Sequence, residues 1–166
     1  MKSKRITSII LMVVTMISVT MGQREIRIDA ATNNVKEACA AALKTTGNTK
    51  KIGYKSSTPS DFDAISYQHN KKVSSMFFVT SDNTAYVICV AKAKTVGDAD
   101  KLYKAFETYK YNKTHGTYFK TDFSKAEQAV LKNAIYGKQG KYVWYISMSS
   151  RKKNLAGEKA LKKKLK

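Results

Sequence analysis

Ala85-Tyr86-Val87-Ile88-Cys89-Val90-Ala91-Lys92-Ala93 is the stretch that decides the fold. Val87, Cys89 and Ala91 alternate with Tyr86, Ile88 and Val90, so a strand here is apolar on both faces. A strand on an open surface needs one apolar face; two predict a central strand covered on both sides. Upstream, 73–79 is rich in β-branched and aromatic residues, which suit a pleated, buried surface. Ser81-Asp82-Asn83-Thr84 between the two runs supplies turn chemistry and predicts a hairpin. Downstream, Tyr142-Val143-Trp144-Tyr145-Ile146-Ser147-Met148 is the clearest strand of all. Ala134–Gly137 has weaker strand character, and Gly140 sits in a turn between the two.

Helices are expected around these strands. Val35, Ala38, Cys39, Ala42 and Leu43 recur at i, i+3, i+4, i+7 and i+8, one apolar stripe on a helix over 31–45 capped by Thr32 or Asn33. Leu102, Tyr103, Phe106 and Tyr109 mark a second helix over 97–110, with Asp98 or Asp100 as its cap. Ser124-Lys125-Ala126-Glu127 fits a capping box and opens a third, 124–133. Residues 48–63 read as a loop with a helical turn at Ser60–Ala64, and 111–121 as an irregular stretch.

The expected fold is therefore α+β, a single domain with an antiparallel sheet of three to five strands and helices packed against it. The expected core is Val35, Cys39, Leu43, Phe78, Val87, Cys89, Leu102, Phe106, Val130, Val143, Tyr145 and Ile146. Trp144 and Tyr142 are placed on the opposite face. The domain is expected to run over 23–150, with residues 23–30 a polar lead-in.

The N-terminus reads as an export signal. Lys2, Lys4 and Arg5 precede an apolar run, Ile6 to Met21, and Thr20 and Gly22 stand at −3 and −1 of a cleavage before Gln23. The run is 16 residues long and diluted by Ser and Thr. A stable span wants about 20 mostly apolar residues. Residues 1–22 are expected to be a signal peptide, with a signal anchor or a buried helix of a cytosolic protein as alternatives. No Cys in this run offers a lipoprotein-type acylation site.

The 166 residues hold 31 Lys+Arg and 12 Asp+Glu, a net charge of +19. Three of those charges belong to the signal segment. The Lys-rich tail, 151–166, has eight basic residues and one Glu, and Leu155, Leu161 and Leu165 offer it a weakly amphipathic helix. The body in between is only moderately basic. Lys outnumbers Arg 27 to 4, and Arg is the bidentate phosphate reader. Lysine favours diffuse, salt-sensitive attraction instead. Anionic cell-wall polymer or an anionic lipid surface is the expected partner, with nucleic acid disfavoured. Lys152, Lys153, Lys162, Lys163 and Lys164 are the candidate anion-binding residues.

No catalytic constellation is present. His69 and His115 lie in polar, turn-like contexts, without a Gly-x-Ser-x-Gly elbow or a Cys/His signature. Asp61, Asp63, Asp82, Asp98, Asp100 and Asp122 stand at turns and helix starts, where carboxylates cap N–H groups. No metal-ligand spacing and no phosphate-cradling glycine loop occurs, so neither metal nor cofactor is expected. Asn112-Lys113-Thr114 matches a glycosylation sequon, which has meaning only in a eukaryotic secretory pathway. Cys39 and Cys89 have two readings. An exported chain can pair them, closing a loop of about 50 residues for roughly 3–4 kcal/mol. Otherwise both are buried thiols, behaving as small hydrophobes.

The order of elements from Met76 to Met148 resembles a known family. A strand ends Val87-Ile88-Cys89-Val90-Ala91-Lys92-Ala93-Lys94; the turn Gly97-Asp98-Ala99-Asp100 opens a helix with Leu102 and Phe106. Then come Lys132-Asn133-Ala134 and the hairpin Gly137-Lys138-Gln139-Gly140-Lys141-Tyr142-Val143-Trp144. This pattern is similar to the bacterial family called domain of unknown function 4358, mainly over residues 76–150. The resemblance implies a small exported protein of Gram-positive type, often lipid-anchored, with no assigned activity and no site residues to carry over. Three features depart from it: the missing lipoprotein Cys, Lys141 where Asn is favoured, and the Lys-rich C-terminus.

Three function classes follow. The first is an exported, non-enzymatic binding module held electrostatically at the cell envelope. The alternatives are a secreted hydrolase with an unrecognised site, and a cytosolic nucleic-acid binder if 1–22 is not a signal.

Overall fold

Residues 87–93 form the middle strand of a five-stranded antiparallel sheet, covered on both faces. The structure is a computed structural model that describes residues 34–165. The signal segment 1–22, the lead-in 23–30 and the cap at Thr32 or Asn33 lie outside the described residues. In chain order the elements are α1 (34–46), β1 (Tyr54–Ser56), β2 (Val73–Thr80), β3 (Val87–Ala93) and α2 (Val96–His115). Then follow α3 (Phe119–Asp122), α4 (Lys125–Lys132), β4 (Ile135–Gln139), β5 (Tyr142–Ser147) and α5 (Arg151–Lys162). Strand order is β1-β2-β3-β5-β4, and the described residues belong to one compact unit. The α+β fold with an antiparallel sheet is thus as expected.

The strand alternation sorts the core into two layers. In register, Cys89 faces Tyr145 and Val90 faces Trp144. Val87, Cys89 and Ala91 join Val143, Tyr145, Met76 and Phe78 on one face. There they meet Leu102, Phe106 and Tyr109 of α2 and Phe62 of the 3-10 turn Pro59–Ala64. Ile88, Val90, Trp144 and Ile146 point the other way, onto Val35, Cys39 and Ala42 of α1 and onto Leu161 and Leu165. Burying each large apolar side chain stabilises the fold by about 1.5–3 kcal/mol. Leu43 and Val130, expected in the core, are half-buried at the edge of the second layer.

Several expectations are corrected. Residues 151–165 are not a free tail. Asn154, Gly157, Leu161 and Leu165 are buried, so the domain extends through α5. Of the three leucines that suggest an amphipathic helix there, Leu161 and Leu165 are buried and Leu155 is exposed; Asn154 and Gly157 complete the packed face. Neither Asp98 nor Asp100 caps α2: Thr95 does, its Oγ1 accepting from the Asp98 N–H at 3.0 Å and donating to Asp98 Oδ2 at 2.8 Å. Asp98 is three residues inside, where its carboxylate accepts from the Thr95 hydroxyl and suits the positive end of the helix. The stretch 111–121 is not irregular throughout, because α2 continues to His115 and α3 follows. A short edge strand, β1, lies within the stretch read as loop and pairs with β2. The capping box at Ser124 forms as expected, with the Ser124 N–H donating to Glu127 Oε2 at 2.9 Å. Glu127 also accepts from Asn83 at 2.8 Å, tying α4 to the β2–β3 turn. These hydrogen bonds, from Asn83 first and then Ser124, hold its carboxyl below the usual range.

Candidate functional site

The side-chain pattern of α2 builds the candidate site. Leu102, Phe106 and Tyr109 run along its buried stripe, and the next position on that stripe is Lys113. A lysine there cannot reach open water without leaving the stripe. Lys113 is instead half-buried, with its Nζ donating to Thr84 Oγ1 in the β2–β3 turn. The ammonium lies 5.6 Å from the Tyr109 ring centroid and 5.5 Å from that of Phe123. Both distances are within cation–π range. Burial lowers the Lys113 pKa, and Asp122 opposes that shift. Burial pushes the Tyr109 phenol up to about 12, opposed by its hydrogen bond with Thr84.

Beyond Lys113 the chain turns at Gly116 into α3, and a cleft of about 340 Å³ opens between the two helices. Its walls are the rings of Tyr109, Tyr118, Phe119 and Phe123. Its polar groups are Asn112, Lys113, Thr117 and Asp122. Tyr118 is 70% exposed, so one wall is an aromatic face open to solvent. Asp122 accepts from Thr121 Oγ1 through Oδ1 at 3.1 Å. The arrangement offers a cation, acceptors and aromatic faces within one small hollow.

The residues singled out from the sequence lie elsewhere. Lys152 and Lys153 are exposed in the first turn of α5, and Lys162, Lys163 and Lys164 are exposed at its far end. About ten residues of helix separate the two groups, some 15 Å at 1.5 Å per residue. They therefore do not converge on one point. Lys162 bonds Glu158 at 3.0 Å and sits 5.1 Å over the Trp144 ring, while Lys164 approaches Glu37 of α1 at 4.0 Å. Cys39 and Cys89 are both free and buried, in different core layers on the two faces of the sheet. Burial raises both thiol pKa values, Cys39 to about 12. His69 bonds Ser66, and exposed His115 stacks on Tyr111 with centroids 4.4 Å apart. Asp100 pairs with Lys138 across to β4. Among the described residues no group of three or more His, Cys, Asp or Glu could hold a metal ion, and no helix is long and apolar enough to cross a membrane.

The cleft was missed because 111–121 reads as irregular. Extending the helical period of Leu102, Phe106 and Tyr109 by one more turn would have found it, since that step lands a lysine on an apolar stripe. No protein-family model matches the chain, and comparison with curated proteins and with solved structures finds no match.

Proposed function

We propose that this protein is an exported, non-enzymatic binding module of the cell envelope, drawn by its lysine-rich surface to anionic wall polymer. The observation that supports this reading is the imbalance of the folded surface. Residues 34–165 carry 25 Lys+Arg against 10 Asp+Glu. Several of the carboxylates serve local structure: Asp98 and Glu127 in helix caps, Asp61 and Glu107 bonded to Tyr54 and Tyr136. Among the described residues only Lys138, Lys162 and Lys164 stand in ion pairs. Unmatched like charge repels itself and costs folding free energy, which a polyanionic partner offsets. Most of these cations are lysines on separate elements, suited to a flexible, repetitive anion rather than to base-edge readout. Export rests on the signal-like residues 1–22, and the resemblance to domain of unknown function 4358 belongs to the same proposal.

Retention of the full chain on immobilised poly(glycerol phosphate), against neutral dextran, tests this reading. The logarithm of the binding constant should fall linearly with the logarithm of salt concentration. Because α5 is part of the fold, the lysines are removed by substitution rather than truncation. Lys152→Gln, Lys153→Gln and Lys163→Gln together should weaken retention and flatten the salt slope without unfolding the domain. Absence of binding at low salt, or binding that salt leaves unchanged, overturns the proposal. Stronger capture by anionic phospholipid vesicles than by the polymer would reassign the partner to a membrane surface. N-terminal sequencing of the native protein tests export: the chain should begin near Gln23.

A further inference from the structure

We propose that the cleft between α2 and α3 is a stoichiometric site for one acidic sugar unit: a single ring bearing hydroxyls and one anionic group. The site is distinct from the diffuse surface attraction and does not depend on it. At about 340 Å³ the cleft is near the lower end of the range for small-molecule sites, enough for a single ring. Its chemistry narrows the occupant further. Lys113 is a half-buried cation whose one hydrogen bond goes to a neutral hydroxyl, that of Thr84. An ammonium has three donors, so donors remain for an anion. Tyr118 offers an exposed aromatic ring that suits the C–H face of a sugar, and Phe123 is a buried apolar part of the lining. Asp122 and Asn112 supply acceptors and a donor for hydroxyls.

Simpler ligands use only part of this set. An inorganic anion leaves the rings unused and gives Asp122 no hydroxyl to accept from. An apolar carboxylate satisfies Lys113 and the rings but gives Asp122 and Asn112 no partner. A neutral sugar gives the remaining Lys113 donors no charged acceptor. A hydroxylated ring with one carboxylate or phosphate matches all of them.

The test is a titration of the full-length protein, followed by amide chemical shifts. The probes are glucuronate and glucose 6-phosphate, with glucose and cyclohexanecarboxylate as controls. Saturable one-to-one shifts confined to residues around Lys113, Tyr118 and Phe123 are expected for at least one acidic sugar. Which of the two binds more tightly tells whether the anion is carboxylate or phosphate. Both controls should bind at least about tenfold more weakly, since each leaves a charged or polar group of the site unpaired. Lys113→Met, which keeps the buried stem, should abolish the preference for the acidic sugars over glucose. Tyr118→Ala alters a largely exposed side chain and so keeps the fold; it should weaken binding about tenfold. Equal binding of glucose or of cyclohexanecarboxylate overturns the proposal. So do shifts spread over the lysine surface, an absence of saturation, or an unchanged affinity in Tyr118→Ala.

Discussion

Gly157 of α5 rests directly against Thr46 of α1: a Cβ built at residue 157 would stand 2.6 Å from Thr46 Cγ2 and 3.4 Å from the Ala42 carbonyl oxygen. Thr46 cannot turn away cheaply. It is buried, and its Oγ1 donates to the Ala42 carbonyl at 3.0 Å. The contact lets the two helices approach closely over Trp144 and Ile146, and it makes the basic C-terminal segment a structural element. Gly157→Val should destabilise the protein by about 2 kcal/mol through overpacking. Gly157→Ala should cost less, because a helical Gly→Ala change returns about 1 kcal/mol of propensity. Urea unfolding of both variants checks the order. If Gly157→Val matches the parent, α5 is not seated on α1.

The strand pairing was legible because period-2 alternation survives in the sequence whatever the helices do. Val87, Cys89 and Ala91 against Ile88 and Val90 announced both a central position and two covering layers. Of what covers the second face, α1 was legible from Val35, Cys39 and Ala42, and α5 only from Leu161 and Leu165. In α5 the buried positions are Asn154, Gly157 and Leu161, of which only the leucine looks like core in a list of residues. The helix works because a polar residue is satisfied by hydrogen bonds and a glycine by proximity, and neither leaves a hydrophobic period. The cleft was hidden for a related reason. Lys113 occupies a stripe position but carries a charge, so the apolar pattern of α2 ends one turn before the helix does.

Asn154 anchors the start of that helix. It is fully buried, accepts from the Met148 and Ser149 N–H groups at 3.3 and 3.1 Å, and donates to the Asn133 and Ser149 carbonyls at 3.0 and 3.2 Å. One side chain thus satisfies the chain end of β5 and the C-cap of α4. Asn154→Ala leaves several buried backbone groups without partners, at about 1–3 kcal/mol for each that water cannot reach. A loss of about 3 kcal/mol is expected in chemical denaturation. Asn154→Asp should cost nearly as much, because it keeps the acceptor and removes both donors. A loss under 1 kcal/mol in both would contradict the network.

Trp144 is held between an edge strand and a carboxylate. Its indole N–H donates to Glu158 Oε1 at 3.2 Å, and a Cβ at Gly137 of β4 would lie 2.6 Å from its Cζ2. The ring is fully buried and has no room to retreat. Gly137→Ala should therefore destabilise by about 2 kcal/mol, although alanine restricts the unfolded chain more than glycine does. Trp144 is the only tryptophan, so its fluorescence reports on the contact directly. A red-shifted native emission is expected in Gly137→Ala, and an unchanged spectrum with unchanged stability would show that the strand can move aside.

Alkaline pH should weaken the fold. Four buried acids, Cys39, Cys89, Tyr109 and Tyr145, have pKa values raised chiefly by burial; the first and third reach about 12. In the unfolded chain they titrate from about 9 for the thiols and about 10 for the phenols. Above those values the unfolded state loses protons that the native state keeps. Their contribution is thus complete below pH 9 and falls as pH rises towards 12, by up to about 1.4 kcal/mol per pH unit for each group. Lys110 and Lys113, whose pKa values burial lowers, act in the opposite sense, but they are fewer and far less buried. The urea midpoint should hold from pH 7 to about 8.5 and then decline. Cys39→Ala, compared with its own value at pH 7, should show a shallower decline. In the native state at pH 8 neither thiol should react with a disulfide reagent until the protein is unfolded. A midpoint that stays constant to pH 11 would mean that these thiols and phenols are open to water.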